Sequence, residues 1–312
     1  MSEVYHIPAM LAECIEALDI RSGGKYVDAT FGGGGHSRAI LQHLDSDGHL
    51  YSFDRDADAM ANAGEFADDS RFTFIHGNFR FLSNFLRYYN AGKVDGILAD
   101  LGVSFHHFDD VSRGFSFRAD APLDMRMNRL AGITAAQIID SYTPERLAEI
   151  FRIYGDIKRP GRLVTAITAA RAKEPIATTT QLLDVVRPLV NPKQEKKELA
   201  QIFQALRMEV NGETDALRHF LHATTKVLKP GGRLVVLTYH SIEDRMVKNF
   251  LKTGNLEGRI EKDFFGKNLT PWRDVSRGAI APTQEEVERN PRARSAKLRI
   301  AELIETNDND DN

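Results

Sequence analysis

The chain must turn sharply at Gly32 to Gly35, where four consecutive glycines separate a β-prone pair, Tyr26-Val27, from a helical pattern carried by Ile40, Leu41 and Leu44. Glycine tolerates left-handed backbone angles and lets the chain approach a ligand where a Cβ would clash. A helix starting there aims its first, unpaired N–H groups at whatever lies above the turn. Residues Lys25 to Ser37 therefore read as the first strand, turn and helix of a nucleotide-type binding site. Glycines serving only helix–strand packing are a poorer account of four in succession.

The alternation continues. His49–Asp54 is a second strand ending on an acid and Ala57–Phe66 a second helix, while Phe72–His76 and Val94–Asp100 are a third and a fourth strand. Strands alternating with helices imply a parallel sheet with right-handed crossovers. Between Ser112 and Arg207 the patterns are helical instead. Thr143 is a good N-cap with Pro144 at the first helical position, and Leu147, Ile150, Phe151 and Tyr154 follow at helical spacing. A further helix is expected over Gln181–Leu189. The α/β pattern resumes with a helix at Glu213–Leu228, stopped by Lys229-Pro-Gly-Gly232. Arg233–Tyr239 reads as a fifth strand, Ile242–Leu251 as a helix and Ala296–Leu303 as a terminal strand. The expected architecture is a discontinuous α/β domain, residues 1–111 and 208–312, interrupted by an all-helical domain at 112–207.

Composition narrows the class. At 312 residues, 42% hydrophobic and 27% charged, the chain has the make-up of an ordinary globular protein. No apolar run approaches the ~18 residues of a membrane span, and the N-terminus shows no export signal. The single cysteine, Cys14, excludes an internal disulfide and a cysteine-based metal cage, so no metal is expected and the cytoplasm is the natural location. Net charge is −3, yet residues 158–207 hold ten Lys/Arg against four acids, leaving an acidic remainder. A basic region on an acidic body suits local binding of a polyanion; a solvated helical surface is the competing reading. The acidic tail from Glu305 has the composition of a disordered segment.

In an open parallel sheet, ligands bind above the carboxyl ends of the strands. Those ends offer Gly32–Gly35 and His36, Asp54, Gly77-Asn78-Phe79 and Asp100. Asp54 lies 22 residues beyond Gly32, the right distance for a carboxylate gripping a ribose diol. Dinucleotides and S-adenosylmethionine both use such an acid. A dinucleotide turn wants G-x-G-x-x-G, and Ser37 stands at the third glycine position. The acid after strand four and Phe79, available to cover an adenine face, favour S-adenosylmethionine. Methylation at a pyrimidine ring carbon needs a cysteine nucleophile, and Cys14 sits in an amphipathic segment with Leu11, Ile15 and Leu18 that reads as core. An exocyclic amine, a ribose hydroxyl or a non-nucleic-acid acceptor remains open.

Taken together, the motifs resemble those of the bacterial 16S ribosomal RNA cytosine-N4 methyltransferases, over nearly the whole chain. They are His6-Ile-Pro8, Asp28–Ser37, Phe53-Asp-Arg-Asp56, Asp100-Leu-Gly-Val-Ser104, Arg113–Phe117, Pro122–Met127, Phe203–Arg207, His240–Arg245 and Asn290–Arg299. The resemblance implies a Rossmann-like class I methyltransferase sheet with a helical insert that helps engage RNA. It implies S-adenosylmethionine bound by Gly34, Gly35, His36, Asp54, Phe79 and Asp100, the two glycines giving backbone clearance. His107 falls where the family carries a glutamine. The implied partner is 16S rRNA in the small ribosomal subunit, with no membrane involved, and monomer and homodimer both stay open.

The implied acceptor is the exocyclic N4 of a decoding-centre cytosine. Its lone pair is delocalised into the ring, so acceptors must pull on the N–H bonds and take the proton. Asp100 and the Leu101 carbonyl are the proposed acceptors, although Asp100 is equally suited to the methionine amino group; His240, at the end of strand five, is a second candidate. Asp124 and Arg126 are placed near the base, with a salt-bridged scaffold as the alternative. Arg292, Arg294 and Lys297 are expected at phosphates. A dinucleotide oxidoreductase and a non-catalytic ribosome-binding factor are the competing functions; Ser37 counts against the first, intact Asp54 and Asp100 against the second.

Overall fold

The computed structural model describes residues 8–102, 111–129, 132–266 and 268–304. The chain divides into two compact units, Met1–Gly102 with Asp215–Asn312, and Val103–Thr214.

The first unit is an α/β sheet. Its strands are β1 (Lys25–Asp28), β2 (His49–Asp54), β3 (Phe72–His76), β4 (Val94–Asp100), β5 (Leu228–Thr238), β6 (Trp272–Asp274) and β7 (Lys297–Leu303), in the order β3-β2-β1-β4-β5-β7-β6. The first five are parallel, and β7 enters antiparallel between β5 and β6. Helices α1 (Leu11–Leu18), α2 (Gly35–Gln42), α3 (Ala57–Ala63) and α4 (Leu82–Tyr88) precede or separate the first four strands. Neighbouring residues of one strand serve opposite cores. Tyr26 and Leu98 join the cluster containing Leu18 of α1 and Ile40 of α2, whereas Val27, Ile97 and Ala99 join the other. Burial on both faces is what a parallel sheet demands, and it explains the adjacent apolar residues Tyr26-Val27 and Ile97-Leu98-Ala99.

Two sheet details depart from the expected pattern. β5 starts at Leu228, not at Arg233. Leu228 pairs with Val94, and an irregularity in register absorbs the Pro230-Gly-Gly232 turn before Arg233 pairs with Gly96. The strand β6 was not expected at all.

The second unit is helical in its described residues: α5 (Ala135–Ser141), α6 (Pro144–Ile153), α7 (Gly161–Arg171), α8 (Thr179–Val186) and α9 (Glu195–Asn211). Its boundaries are chemically marked. Thr134 and Thr178 form capping boxes with Gln137 and Gln181, Thr143 caps α6 ahead of Pro144, and Gly212 ends α9 at φ 56°. Leu147, Ile150 and Phe151 of α6 bury the predicted face among Ile167, Leu182 and Ile202. Helix α10 (Glu213–Val227) leads back toward the sheet, where α11 (Ser241–Thr253) and α12 (Gln284–Arg289) complete the α/β unit.

Candidate functional site

The glycine turn is held from both sides by carboxylates. Asp28, fully buried at the end of β1, accepts hydrogen bonds from the Ser37 hydroxyl (2.7 Å) and the Thr30 N–H (3.0 Å). Burial pushes its carboxyl above the usual range, and His36, Ser37 and Thr30 pull in the opposite direction. Sequence reasoning did not single this acid out as a site residue; its signal was an aspartate directly after a buried Tyr-Val strand. Asp54, at the end of β2, accepts the Gly32 N–H at 2.8 Å with one oxygen and the Asp56 N–H at 2.9 Å with the other. Asn62 donates to the Gly32 carbonyl at 3.1 Å. The turn is thus fixed to the ends of two adjacent strands, and Asp54 stands at the strand edge where ligands bind.

The glycines divide the work differently from the expectation. A Cβ on Gly32, at φ 53°, would meet no atom of the described residues within 4 Å, so open space lies at this residue. A Cβ on Gly34 would stand 2.8 Å from the Phe31 ring and 2.9 Å from Phe66; one on Gly35 would stand 2.2 Å from Pro8 Cγ. Both glycines clear the protein's own side chains. What α2 can offer a ligand is the free N–H groups of its first turn, including that of His36. The His36 ring is buried, with Nε2 3.3 Å from the Ala9 carbonyl oxygen.

Beyond β3, Asn78 accepts the Arg80 N–H at 3.0 Å and sets the turn that carries Phe79. Phe79 meets Phe220 edge-on at 5.2 Å. At the end of β4, the Asp100 N–H donates to Thr30 Oγ1 at 2.7 Å, and Asp100 Oδ1 accepts the Gly102 N–H at 3.2 Å. Tyr239 lies beside Asp100: a Cβ on Gly102 would meet the Tyr239 ring at 2.8 Å and Asp100 Oδ1 at 3.2 Å. Burial, then the neighbouring Asp100 carboxylate, push this phenol well above its usual range. Tyr239 was missed in the sequence, where it read only as the last residue of a strand.

His240 caps the start of α11 and holds its Nε2 3.0 Å from Glu243 Oε1, yet the geometry is not that of a hydrogen bond, and both ring nitrogens are shut off from solvent. Lys297 and Arg299 pair with Asp244 at 3.1 and 2.8 Å. Arg292 and Arg294 are exposed in the turn before β7. Cys14 is fully buried; burial, then the charges of Asp100, Glu13 and Asp28, push its thiol up, the opposite of what a nucleophile needs.

In the helical unit, Arg126 grips Asp124 through two nitrogens at 2.8 and 2.9 Å, and its own N–H adds a third bond at 3.0 Å. The pair satisfies itself locally, as a scaffold does. Arg207 is likewise committed to Glu213 at 2.9 Å, and Arg171 donates to the Ile139 and Tyr142 carbonyls. Lys158, Arg159, Arg162, Lys173, Lys196 and Lys197 remain at the surface. His107 lies outside the described residues.

The site discriminates between cofactors. A dinucleotide needs close approach of a pyrophosphate to the second and third glycines, in a sheet whose sixth strand continues parallel. Rings fill that clearance at Gly34, β7 runs antiparallel, and the acids Asp54 and Asp100 at the strand ends disfavour phosphates. The residues present fit S-adenosylmethionine, and sheet and site together define a Rossmann-like methyltransferase. The chain belongs to the MraW methylase family, whose model matches residues 3–304. It is 59% identical over 300 residues to "Ribosomal RNA small subunit methyltransferase H" of Phocaeicola vulgatus, covering 96% of this chain and 98% of that one. A protein of the same name from Porphyromonas gingivalis is 53% identical over 306 residues, covering 96% and 97%.

Proposed function

We propose that the chain transfers the methyl group of S-adenosylmethionine to the exocyclic N4 of a decoding-centre cytosine in 16S rRNA of the small ribosomal subunit, in the cytoplasm. The observation that carries this reading is the end-to-end likeness, at 59% identity, to a relative named for small-subunit rRNA methylation. When bound, S-adenosylmethionine supplies an electrophilic methyl group on sulfur.

The chain's own residues position and polarise. Asp54 takes the ribose diol, Phe79 covers the adenine, and the first turn of α2 offers N–H donors. Asp100, oriented by the Gly102 N–H, accepts from N4 together with the Leu101 carbonyl, which raises the nitrogen's nucleophilicity and draws off the proton. Such alignment of a direct displacement is where enzymes of this type gain most of their rate. His240, closed off and beside Glu243, acts behind Asp100 at the neighbouring strand end. The helical unit carries the exposed Lys and Arg of α7 to α9 and their connections, and these meet the RNA backbone, joined by Arg292 and Arg294 of the sheet unit. Extruding the cytosine costs a few kcal/mol, least where the RNA is already single-stranded.

The test is label transfer from S-adenosylmethionine to small subunits isolated from a strain lacking the gene. N4-methylcytidine after digestion to nucleosides is the expected product. Unlabelled RNA would sink the reading, and label on ribose would move the acceptor.

A further inference from the structure

Pro8, which ends one sequence motif, and Asn290, which begins another, have no part in the chemistry described so far. The fold brings Ala9-Met10, just after Pro8, and the segment from Glu286 to Ala293 to the same place. We propose that Glu286, just before the second motif, is a positioning residue for the cofactor site: it fastens Pro8–Met10 as a strap against the glycine turn.

Glu286 lies in α12 and is 4% exposed. One carboxylate oxygen accepts the Met10 N–H at 3.1 Å, across 276 residues of sequence, and the other pairs with Arg289. A carboxylate this deeply buried needs both partners. Met10 itself is in the left-handed region, at φ 49°, with no side chain of its own segment capping it. A non-glycine residue holds that conformation only where its surroundings impose it, and the Glu286 bond is the imposition seen. The Met10 carbonyl in turn accepts the Cys14 N–H at 2.9 Å and starts α1.

From Met10 the constraint passes to the turn in two steps. The Ala9 carbonyl oxygen is 3.3 Å from Nε2 of His36, and Pro8 Cγ fills the space a Cβ on Gly35 would need. Gly35 and His36 are the first two residues of α2, whose N–H groups face the ligand in the reading above. The strap therefore sets the height and tilt of that turn. The motif at Asn290 serves the same end, because the Asn290 N–H donates to the Glu286 carbonyl at 2.7 Å and Ala293 packs fully buried in the core shared with Met10.

This inference rests on the S-adenosylmethionine reading, and the experiment separates the two. S-adenosylhomocysteine affinity is measured calorimetrically on the full chain for wild type, Glu286→Ala and Glu286→Gln, alongside hydrogen exchange at the Met10 amide. Loss of one buried acceptor predicts a roughly tenfold weaker Kd for Glu286→Ala, with faster exchange at Met10 and with turnover at saturating S-adenosylmethionine retained. Glu286→Gln keeps an oxygen for the Met10 N–H and stays within about threefold of wild type, a rescue that general destabilisation does not produce. If the alanine variant does not fold, Glu286→Asp replaces it; its carboxylate is one methylene short of Met10 and loses the same affinity. Wild-type affinity in Glu286→Ala or Glu286→Asp, whatever the melting temperature, overturns the proposal. A wild-type chain that binds no S-adenosylhomocysteine overturns the cofactor reading, and the proposal with it.

Discussion

Replacing Asp54 by Asn separates the two jobs the site gives this carboxylate. In the ligand-free chain it accepts the Gly32 N–H at 2.8 Å through one oxygen and the Asp56 N–H at 2.9 Å through the other. Asparagine has one oxygen, so one of these donors must face an NH2 group. Leaving such a donor unsatisfied costs about 1–3 kcal/mol, and this loss falls on the ligand-free fold. At roughly 2–4 °C per kcal/mol the melting temperature drops by several degrees. The ribose diol adds a separate loss, seen only with ligand. One charge-assisted acceptor is worth about 1.5–3 kcal/mol, which converts to a roughly 10- to 150-fold weaker Kd. Scanning fluorimetry without ligand reads the first loss; calorimetric titration with S-adenosylhomocysteine, well below the melting temperature, reads the second. A variant that melts early but binds S-adenosylhomocysteine within about threefold of wild type would refute the ribose assignment and leave Asp54 a brace for the turn.

Gly35→Ala should weaken cofactor binding while keeping every ligand-facing N–H, because its Cβ would sit 2.2 Å from Pro8 Cγ and push the strap away; unchanged affinity would mean that Pro8 is free to move. Asp244→Asn should cost stability in a pH-dependent way. Burial alone would raise this carboxyl, but hydrogen bonds from Arg299 and Lys297 hold it below its ordinary 3.8, so its contribution is present above that value and is lost as pH falls through the folded value. The variant should unfold about 1–2 kcal/mol more easily at neutral pH, and the gap should close only in strong acid; a gap that is the same at pH 3 and pH 7 would contradict this. Asp100→Asn should keep S-adenosylhomocysteine affinity within about tenfold while turnover falls ~100-fold or more, as for loss of a general base; lost affinity with normal turnover at saturation would assign Asp100 to the methionine amine alone.

Local chemistry written in neighbouring residues was the most legible part of this molecule. Thr143-Pro144 starts a helix because its cap and first position lie side by side, and β1, β2 and β4 show because a strand buried on both faces carries adjacent apolar residues. Asp54 and Asp100 could be placed because a strand ending on an acid presents it at the ligand-binding edge. What could not be read depends on partners far apart in the chain. β6 is three residues long, and its pairing with β7 comes from tertiary context. Glu286 looks like any helical surface acid until the fold sets it against Met10. A Cβ at Gly34 or Gly35 would crowd its surroundings, but nothing local reveals that Phe31, Phe66 and Pro8 are what these glycines make room for. The same holds for the closeness of Tyr239 to Asp100, set by the ends of two adjacent strands.

The most direct test of the account is the mass of nucleosides from 16S rRNA of three strains: one lacking the gene, one complemented with the wild-type chain, and one complemented with Asp54→Ala/Asp100→Ala. The account predicts an N4-methylated cytidine that is absent from the deletion strain, restored by the wild-type chain and not restored by the double variant at equal protein level. Its persistence in the deletion strain, or restoration by the double variant, would contradict the account.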